Sequence, residues 1–255
     1  MSHSTVIRAG YEPIPGYVLR QRLGAGGFGE VWSADAPGGL QKAVKLVYGT
    51  LDEQRAISEL RSLQRIRQVH HPLLLSLERI EIVNGQLIIV TELAESSLVD
   101  FYHAARRRQL QGIPRDQLLD FLRDAGDALD YLSQKHDLQH LDVKPGNLLI
   151  MADRIKVADF GLIKDLHDPN VSIVSGLTPS HAAPELFDGR PDRLSDLYSL
   201  AVVYQEMLTG KLPFDGKTPG ELARQHLHQP PNLEPLPPAD RRVVARALAK
   251  HPLDR

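Results

Sequence analysis

The sequence predicts an α+β fold in two lobes. Two observations carry the prediction: short β-rich runs separated by turn residues fill the first third of the chain, and apolar residues at helical spacing fill the remainder. The change of period falls near residues 92–97. A small β-rich lobe with one helix is therefore expected at 17–94, and a larger, mainly helical lobe at 95–255. Residues 1–16 read as an N-terminal extension.

Each element has its own signal. Tyr17-Val18-Leu19 leads into a glycine-rich run, and Val31-Trp32-Ser33-Ala34 leads out of it. Ala36-Pro37-Gly38-Gly39 is a turn cluster, and Lys42-Ala43-Val44-Lys45-Leu46-Val47 is β-rich again. Over 53–67 the period changes. Ala56, Leu60, Leu63 and Arg67 fall on one stripe with Ile57 and Ile66 beside it, as in a helix with one buried face. Strands at 75–83 and 86–91 follow, joined by Asn84-Gly85, a pair that tolerates the positive φ angles of a tight hairpin turn. Leu118, Leu119, Leu122, Ala125, Leu129 and Leu132 give helical spacing over 117–133, with Asp116 as the N-cap. Residues 197–208 are apolar almost all round, the mark of a central buried helix, and Gly210 stands where that helix would end. The proline-rich stretch 230–238 reads as a loop, and 241–250 as a last amphipathic helix.

Composition narrows the function classes. The chain has 255 residues, 42% hydrophobic and 24% charged, ordinary values for a globular protein able to bury a sizeable core. A net charge of −2 gives no global reason to expect a nucleic-acid or membrane partner. Cysteine is absent, which excludes a disulfide framework and any thiolate metal site and fits a cytoplasmic protein. Residues 1–16 lack the apolar core of a signal peptide. The longest apolar stretch, 197–208, is interrupted by Ser199, Gln205 and Glu206 and is too short to span a bilayer.

The reactive residue types concentrate in His140-Leu141-Asp142-Val143-Lys144-Pro145-Gly146-Asn147, followed by Asp159-Phe160-Gly161. A carboxylate, an ammonium and an amide share one short segment, and a second carboxylate sits at a glycine turn beyond it. Asp142 suits the deprotonation of a hydroxyl, and Lys144 the neutralisation of a moving phosphoryl group. Asn147 and Asp159 offer hard oxygen ligands of the kind Mg²⁺ takes. An acidic surface loop is the bland alternative. Against it, the apolar runs Leu148-Leu149-Ile150 and Ile155-Lys156-Val157 bracket the cluster, and polar groups set between buried strands need a reason.

Gly24-Ala25-Gly26-Gly27-Phe28-Gly29 fits G-x-G-x-x-G. A dinucleotide fingerprint needs a helix after the run, whereas β-type residues lie on both sides here. A hairpin lid, whose backbone N–H groups approach phosphate oxygens, is the better reading, and a plain glycine-rich hairpin is the rival. Lys45, on the neighbouring strand, would face the same cavity and bridge phosphates as a point charge. Glu59, on the next helix, would orient that ammonium if the two pair. Taken singly, a strand lysine is usually solvated and a helix glutamate usually exposed. Arg106-Arg107-Arg108 reads as a solvated basic face in a loop between helices. His136 and His140 are expected to share no helix face, so a metal site other than Mg²⁺ is not supported.

In their order and spacing these residues resemble the eukaryotic-type protein kinase family, in its Ser/Thr branch and its bacterial members. The resemblance covers residues 16–255. It rests on the glycine run, Ala43-Val44-Lys45, Glu59 with His71-Pro72 downstream, His140-Leu141-Asp142, Lys144-Pro145-Gly146-Asn147, Asp159-Phe160-Gly161, Thr178-Pro179-Ser180-His181, Ala183-Pro184-Glu185, Asp196 and Arg255. It implies a bilobal protein kinase-like fold, ATP and Mg²⁺ as cofactors, and a protein substrate with a Ser or Thr acceptor. By resemblance Gly24, Ala25, Gly26, Gly27 and Gly29 cover the phosphates. Thr91 is then the gatekeeper, Glu92 and Ala94 lend backbone groups to adenine, and Val31, Ala43 and Leu149 sandwich the ring. Leu63, Leu77, His140 and Phe160 would stack as a spine, and Arg255 would pair with Glu185.

Two positions depart from the family pattern. Leu141 stands where many members carry an arginine that binds a phosphorylated loop, so activity without phosphorylation of that loop is expected. His181 stands where tyrosine is common, which leaves the peptide-docking surface open. The chain also stops at Arg255, ahead of the usual last helix, and reads as a trimmed piece. The rival functions are a pseudokinase that binds ATP as a scaffold and a small-molecule phosphotransferase. Lys45, Asp142, Asn147 and Asp159 are all present, which argues against the first, and the Ala183-Pro184-Glu185 segment argues against the second.

Overall fold

The computed structural model describes residues 7–26, 29–48, 60, 66–67, 69–160, 164–165 and 177–255. They fall into two compact units, one within residues 1–70 and 75–94, the other within 71–74 and 95–255. The first is built on β-strands and the second mainly on helices, the α+β architecture that the two sequence periods predict.

The first unit holds a five-stranded antiparallel sheet in the order β1-β2-β3-β5-β4. Its strands are β1 (Val18–Gly26), β2 (Gly29–Ala36), β3 (Leu40–Val47), β4 (Leu77–Val83) and β5 (Gln86–Glu92). Alternation sorts the side chains. Trp32, Ala34, Val44, Leu46, Ile88 and Val90 point to one face and form the core with Leu19 and Ile14. The segment ahead of β1 belongs to this packing. Ile14 is 1% exposed, and residues 10 and 11 bond to β1 through Gly10 N–H to Leu19 O (2.8 Å) and Leu19 N–H to Tyr11 O (2.9 Å). Strand β4 begins at Leu77, two residues later than its pattern predicts, and Asn84-Gly85 turns with positive φ at both residues as expected. The helix expected over 53–67 lies outside the described residues except for Leu60, Ile66 and Arg67; Ile66 is buried.

The second unit is organised around two long helices, α2 (Arg115–His136) and α4 (Ser195–Thr209). Buried Leu118, Phe121, Ala125, Ala128, Leu129 and Leu132 give α2 its inner stripe. Helix α4 is buried nearly all round, and Gly210 closes it in the left-handed conformation (φ 71°). The backbone angle selects glycine there, and a Cβ would also press within 2.6 Å of the Tyr102 hydroxyl, which would have to shift. Shorter helices complete the unit: α1 (Leu98–Arg107), α3 (Pro184–Phe187), α5 (Pro219–His228) and α6 (Pro238–Ala247). Two small antiparallel sheets sit among them. One pairs β6 (Ser96–Ser97), β8 (Leu148–Met151) and β9 (Arg154–Val157), and the other pairs β7 (Leu138–Gln139) with β10 (Lys164–Asp165).

Several local expectations need correction. Asp116 is not the N-cap of α2. Pro114 occupies that place without a side-chain bond, and Asp116 sits inside the first turn, where its charge favours the positive end of the helix dipole. Arg106 and Arg107 are the last turn of α1 rather than a loop, and Arg106 Nη1 donates to the carbonyls of Leu110 (3.2 Å) and Gln111 (2.9 Å). Helix α6 starts at Pro238 and ends at Ala247, three residues ahead of the expected span at each end, because proline opens a helix as readily as it breaks one. Helices α1 and α5 carry start signals that apolar periodicity alone does not reveal. Ser97 and Asp100 form a reciprocal capping box, and Thr218 accepts the Glu221 N–H ahead of Pro219. Among the described residues no helix is long and apolar enough to cross a membrane.

Candidate active site

The helical unit brings four polar side chains together. Asp142, Lys144 and Asn147 come from the loop after β7, and Thr178 from the turn ahead of α3. Lys144 Nζ donates to Asp142 Oδ2 (2.7 Å) and to Thr178 Oγ1 (3.1 Å). The Thr178 hydroxyl donates to Asp142 Oδ1 (2.7 Å). Asn147 Nδ2 donates to the Asp142 carbonyl (2.8 Å) and to Asp142 Oδ2 (3.0 Å). The Asp142 carboxylate is thus held from three sides in a buried setting, while Lys144 is half-buried. With both Asn147 amide protons turned inward, its Oδ1 is the atom that remains to meet a ligand.

The loop bearing these groups is fixed from below by α4. Asp196, 4% exposed, accepts the backbone N–H groups of His140 (2.8 Å to Oδ2) and Leu141 (2.8 Å to Oδ1). Burial pushes the Asp196 carboxyl up from the usual carboxylate range, and the two amide donors oppose that push. Leu141 is held in the left-handed region (φ 63°) with its side chain buried. Such a conformation costs a non-glycine residue about 1–3 kcal/mol and persists only where neighbours fix it.

Asp159 is placed by the same loop. The Asn147 carbonyl accepts the Ala158 N–H (2.9 Å), and His140 Nε2–H donates to the Ala158 carbonyl (2.9 Å). Asp159 follows at once, exposed and also left-handed (φ 63°), so its backbone starts beside the Asn147 loop. Two oxygen donors, the Asn147 amide and the Asp159 carboxylate, therefore rise from adjoining backbone. That donor chemistry fits Mg²⁺. Phe160 packs edge-on to His140, with ring centroids 5.7 Å apart, as the expected spine requires of that pair.

The β-rich unit carries other predicted positions. Val31 pairs with Lys45, Ala43 with Thr91, and Lys45 with Ile89. Partners across a ladder share a face, so Val31, Ala43, Lys45 and Thr91 line the sheet face opposite the Trp32 core. Gly24, Ala25 and Gly26 lie on β1 against Val31, Glu30 and Gly29 of β2. A Cβ on Gly29 would lie 2.3 Å from the Leu46 carbonyl, so the hairpin can hug β3 only with glycine there. Glu92 ends β5, and its N–H donates to the Ser76 carbonyl (3.3 Å); Ala94 lies just beyond. Leu149, on β8 of the helical unit, is half-buried opposite Lys156. Gly27, Glu59 and Gly161 lie outside the described residues.

Thr178 stands out in the sequence by its motif alone; its direct bond to Asp142 comes from the fold. The half-exposed Ser180, together with His181 and Glu206, forms a hydrogen-bonded chain behind it. Ser180 is only two residues from Thr178, and Glu206 marks the polar side of α4; neither position is distinguished by spacing alone. The expected pairing of Arg255 with Glu185 is present. The two make a bidentate pair at 2.6 Å on both arms, with the Arg255 side chain fully enclosed.

Comparison with known proteins identifies the family. The family model described as "Protein kinase domain" matches residues 17–250. The chain is 32% identical over 261 residues to the serine/threonine-protein kinase PknF of Mycobacterium tuberculosis, covering 94% of this chain and 53% of that protein. It is 32% identical over 266 residues to PknB of Mycolicibacterium smegmatis, covering 94% and 40%. It is 33% identical over 259 residues to PksC of Streptomyces coelicolor, covering 94% and 46%. The chain thus spans about half the length, or less, of the curated relatives it matches.

Proposed function

This chain belongs to the protein kinase family, as a catalytic domain of the bacterial Ser/Thr type, and we propose that it transfers the γ-phosphoryl group of ATP to Ser and Thr hydroxyls of protein substrates. The observation that carries this reading is the Asp142 carboxylate held at hydrogen-bond distance by Lys144, Asn147 and Thr178. Asp142 takes the proton of the incoming hydroxyl, and Lys144 offsets charge on the group in transfer. Asn147 and Asp159 would hold the Mg²⁺ ion. Gly24, Ala25, Gly26, Gly27 and Gly29 would cover the phosphates, and Lys45, which Glu59 would orient, would meet them as a point charge. Val31, Ala43, Thr91 and Leu149, with the backbone of Glu92 and Ala94, are the positions that would hold the adenine. When bound, Mg·ATP supplies the phosphoryl group and neutralises charge on it.

The domain extents follow from the same reading: an N-terminal extension at 1–16, the smaller lobe at 17–94 and the larger at 95–255. Leu141 supports a mode of action without loop phosphorylation, since its buried side chain offers no guanidinium to a phosphate. Protein kinases of this kind work where ATP is held, which supports a cytoplasmic site of action. The alternative, an ATP-binding scaffold without turnover, shares every position except the need for Asp142.

Replacing the base tests the choice. Asp142→Asn should lower phosphorylation of a generic protein substrate by about 10²–10⁴-fold, while ATP binding by calorimetry stays near that of the wild type. Equal turnover in both proteins, or none in the wild type, would refute the enzyme. Phosphosite mapping by mass spectrometry reads the Ser/Thr preference in the same experiment.

A further inference from the structure

The helical unit carries a cluster of arginines that phosphoryl transfer does not use. Residues 103–116 and 234–242 together hold six arginines (Arg106, Arg107, Arg108, Arg115, Arg241 and Arg242) against three carboxylates (Asp116, Glu234 and Asp240). The whole chain has 30 basic and 32 acidic residues, so the local charge is opposite in sign to the net charge. The two stretches meet at a cavity of about 490 Å³ whose walls include Leu110, Pro114, Leu208, Pro235 and Pro237. Arginine fixes both walls. Arg106 Nη1 donates to the carbonyls of Leu110 (3.2 Å) and Gln111 (2.9 Å). Arg241 donates from Nε to the Leu236 carbonyl (3.0 Å) and from Nη2 to the Glu234 carbonyl (2.8 Å). A carbonyl accepts a hydrogen bond but carries no full charge, so these two guanidiniums keep theirs. Among the described residues Arg115 alone of the six forms an ion pair, with Asp240 (2.7 Å) and Asp116 (3.8 Å). Arg107, Arg108 and Arg242 are exposed. The floor has the other polarity. Gly112 lies so close to α4 that a Cβ would come 2.2 Å from the Leu208 carbonyl, and the Ile113 N–H donates to the Met207 carbonyl (2.9 Å). The carbonyl end of α4 thus lies beneath the cavity and disfavours an anion there. Carboxylates belong on the rim, and an apolar side chain belongs inside.

We propose that this cavity and its arginine rim are a docking site for an extended acidic segment of a partner protein. A leucine or proline of that segment enters the cavity, and Asp or Glu on either side of it meets Arg107, Arg108 and Arg242. Guanidinium suits carboxylate because its fork of N–H donors matches two oxygens at once. The three wall prolines have no N–H to offer, so the cavity itself selects for an apolar group. None of the residues assigned to phosphoryl transfer lines this cavity, and the inference stands apart from the kinase reading.

The test is fluorescence anisotropy on the full chain with a short fluorescein-labelled peptide of repeated Glu-Leu-Pro-Glu units. The wild type should bind it, and binding should weaken as salt is raised. Arg107→Glu with Arg108→Glu should raise Kd about tenfold or more, and Arg242→Glu should act in the same direction. Arg107→Lys with Arg108→Lys keeps the charge and should stay within about threefold of wild type. Leu110→Asp, at the cavity wall, should also raise Kd about tenfold. These side chains are exposed, so each variant is expected to fold, and a wild-type thermal midpoint confirms it. Absence of binding by the wild type overturns the proposal. Equal binding of oligoglutamate or of a Lys-Leu-Pro-Lys peptide overturns it too, as does a Kd unmoved by either the charge reversal or Leu110→Asp. Tighter binding of oligouridylate RNA or of phosphatidylserine vesicles would assign the arginines to another kind of partner.

Discussion

At the scale of single residues, the chemistry was legible where one short segment holds all of it. Asp142, Lys144 and Asn147 lie within six consecutive positions, and their contacts follow from that nearness. Thr178 lies 36 residues from Asp142, and Glu206 lies 25 from His181; contacts at such range come from packing and leave no period in a sequence. Leu141 is the residue whose substitution pattern has the sharpest consequence. Its N–H is taken by Asp196 and its apolar side chain is buried, so nothing at this position recruits a phosphate. Alanine at Ser172, Ser175 or both, which lie outside the described residues, should leave kcat within about twofold of wild type. A steady-state assay on protein purified after phosphatase treatment checks this, and a large drop would refute it. Glu185 and Arg255 make a second residue-scale case. Removing one partner of an enclosed ion pair strands the other, so Arg255→Met should cost about 3–5 kcal/mol in urea unfolding.

Among the elements, α5 shows how a helix with a modest sequence signal is secured. Lys250 donates to the carbonyls of Gln225 (3.2 Å) and His226 (2.7 Å) at its C-terminal end, where a cation is favoured. On its inner side His226 is fully buried among Phe187, Tyr198 and Phe214. Its Nδ1 pairs with the Tyr198 hydroxyl (2.8 Å), and its Nε2 has no hydrogen-bond partner among the described residues. Burial, reinforced by the Lys250 charge, holds this imidazole down to about 3, against an ordinary value of 6.5. Between those values the unfolded chain binds a proton that the folded protein refuses. Stability from this group is therefore complete above about pH 6.5 and declines as the pH falls toward 3, at up to about 1.4 kcal/mol per pH unit. Urea midpoints at pH 7 and pH 5 should separate clearly in the wild type and less in His226→Phe. An identical separation in both proteins would place the acid sensitivity elsewhere. No spacing or motif marks His226 in the sequence, because enclosure by three aromatic rings is a property of packing.

For the molecule as a whole, period was a good guide to class and a poor guide to edges. The hairpin at Asn84-Gly85 and the buried α4 were plain because turn chemistry and all-round apolarity are local facts. The bounds of α2 and α6 slipped because proline sits at their starts, where it reads equally as a breaker. The segment ahead of Tyr17 reads as an N-terminal extension, and within it Ile14 is an interior residue of the first unit. Removing residues 1–15 should destabilise that unit by about 2–5 kcal/mol, the range for loss of a buried aliphatic side chain. Thermal melts of the shortened and full chains provide the check, and equal midpoints would count against the packing described.

Helix α4 also imposes a rule on length. Asp196 and Glu206 stand ten positions apart, a rise of about 15 Å on a rod that turns about 100° at each step. One inserted residue would swing the second carboxylate about a quarter turn away from its imidazole while the first stayed put. Surface connections in this unit can drift in size through descent, but the interval between these two acids works as a gauge that admits no added or missing notch.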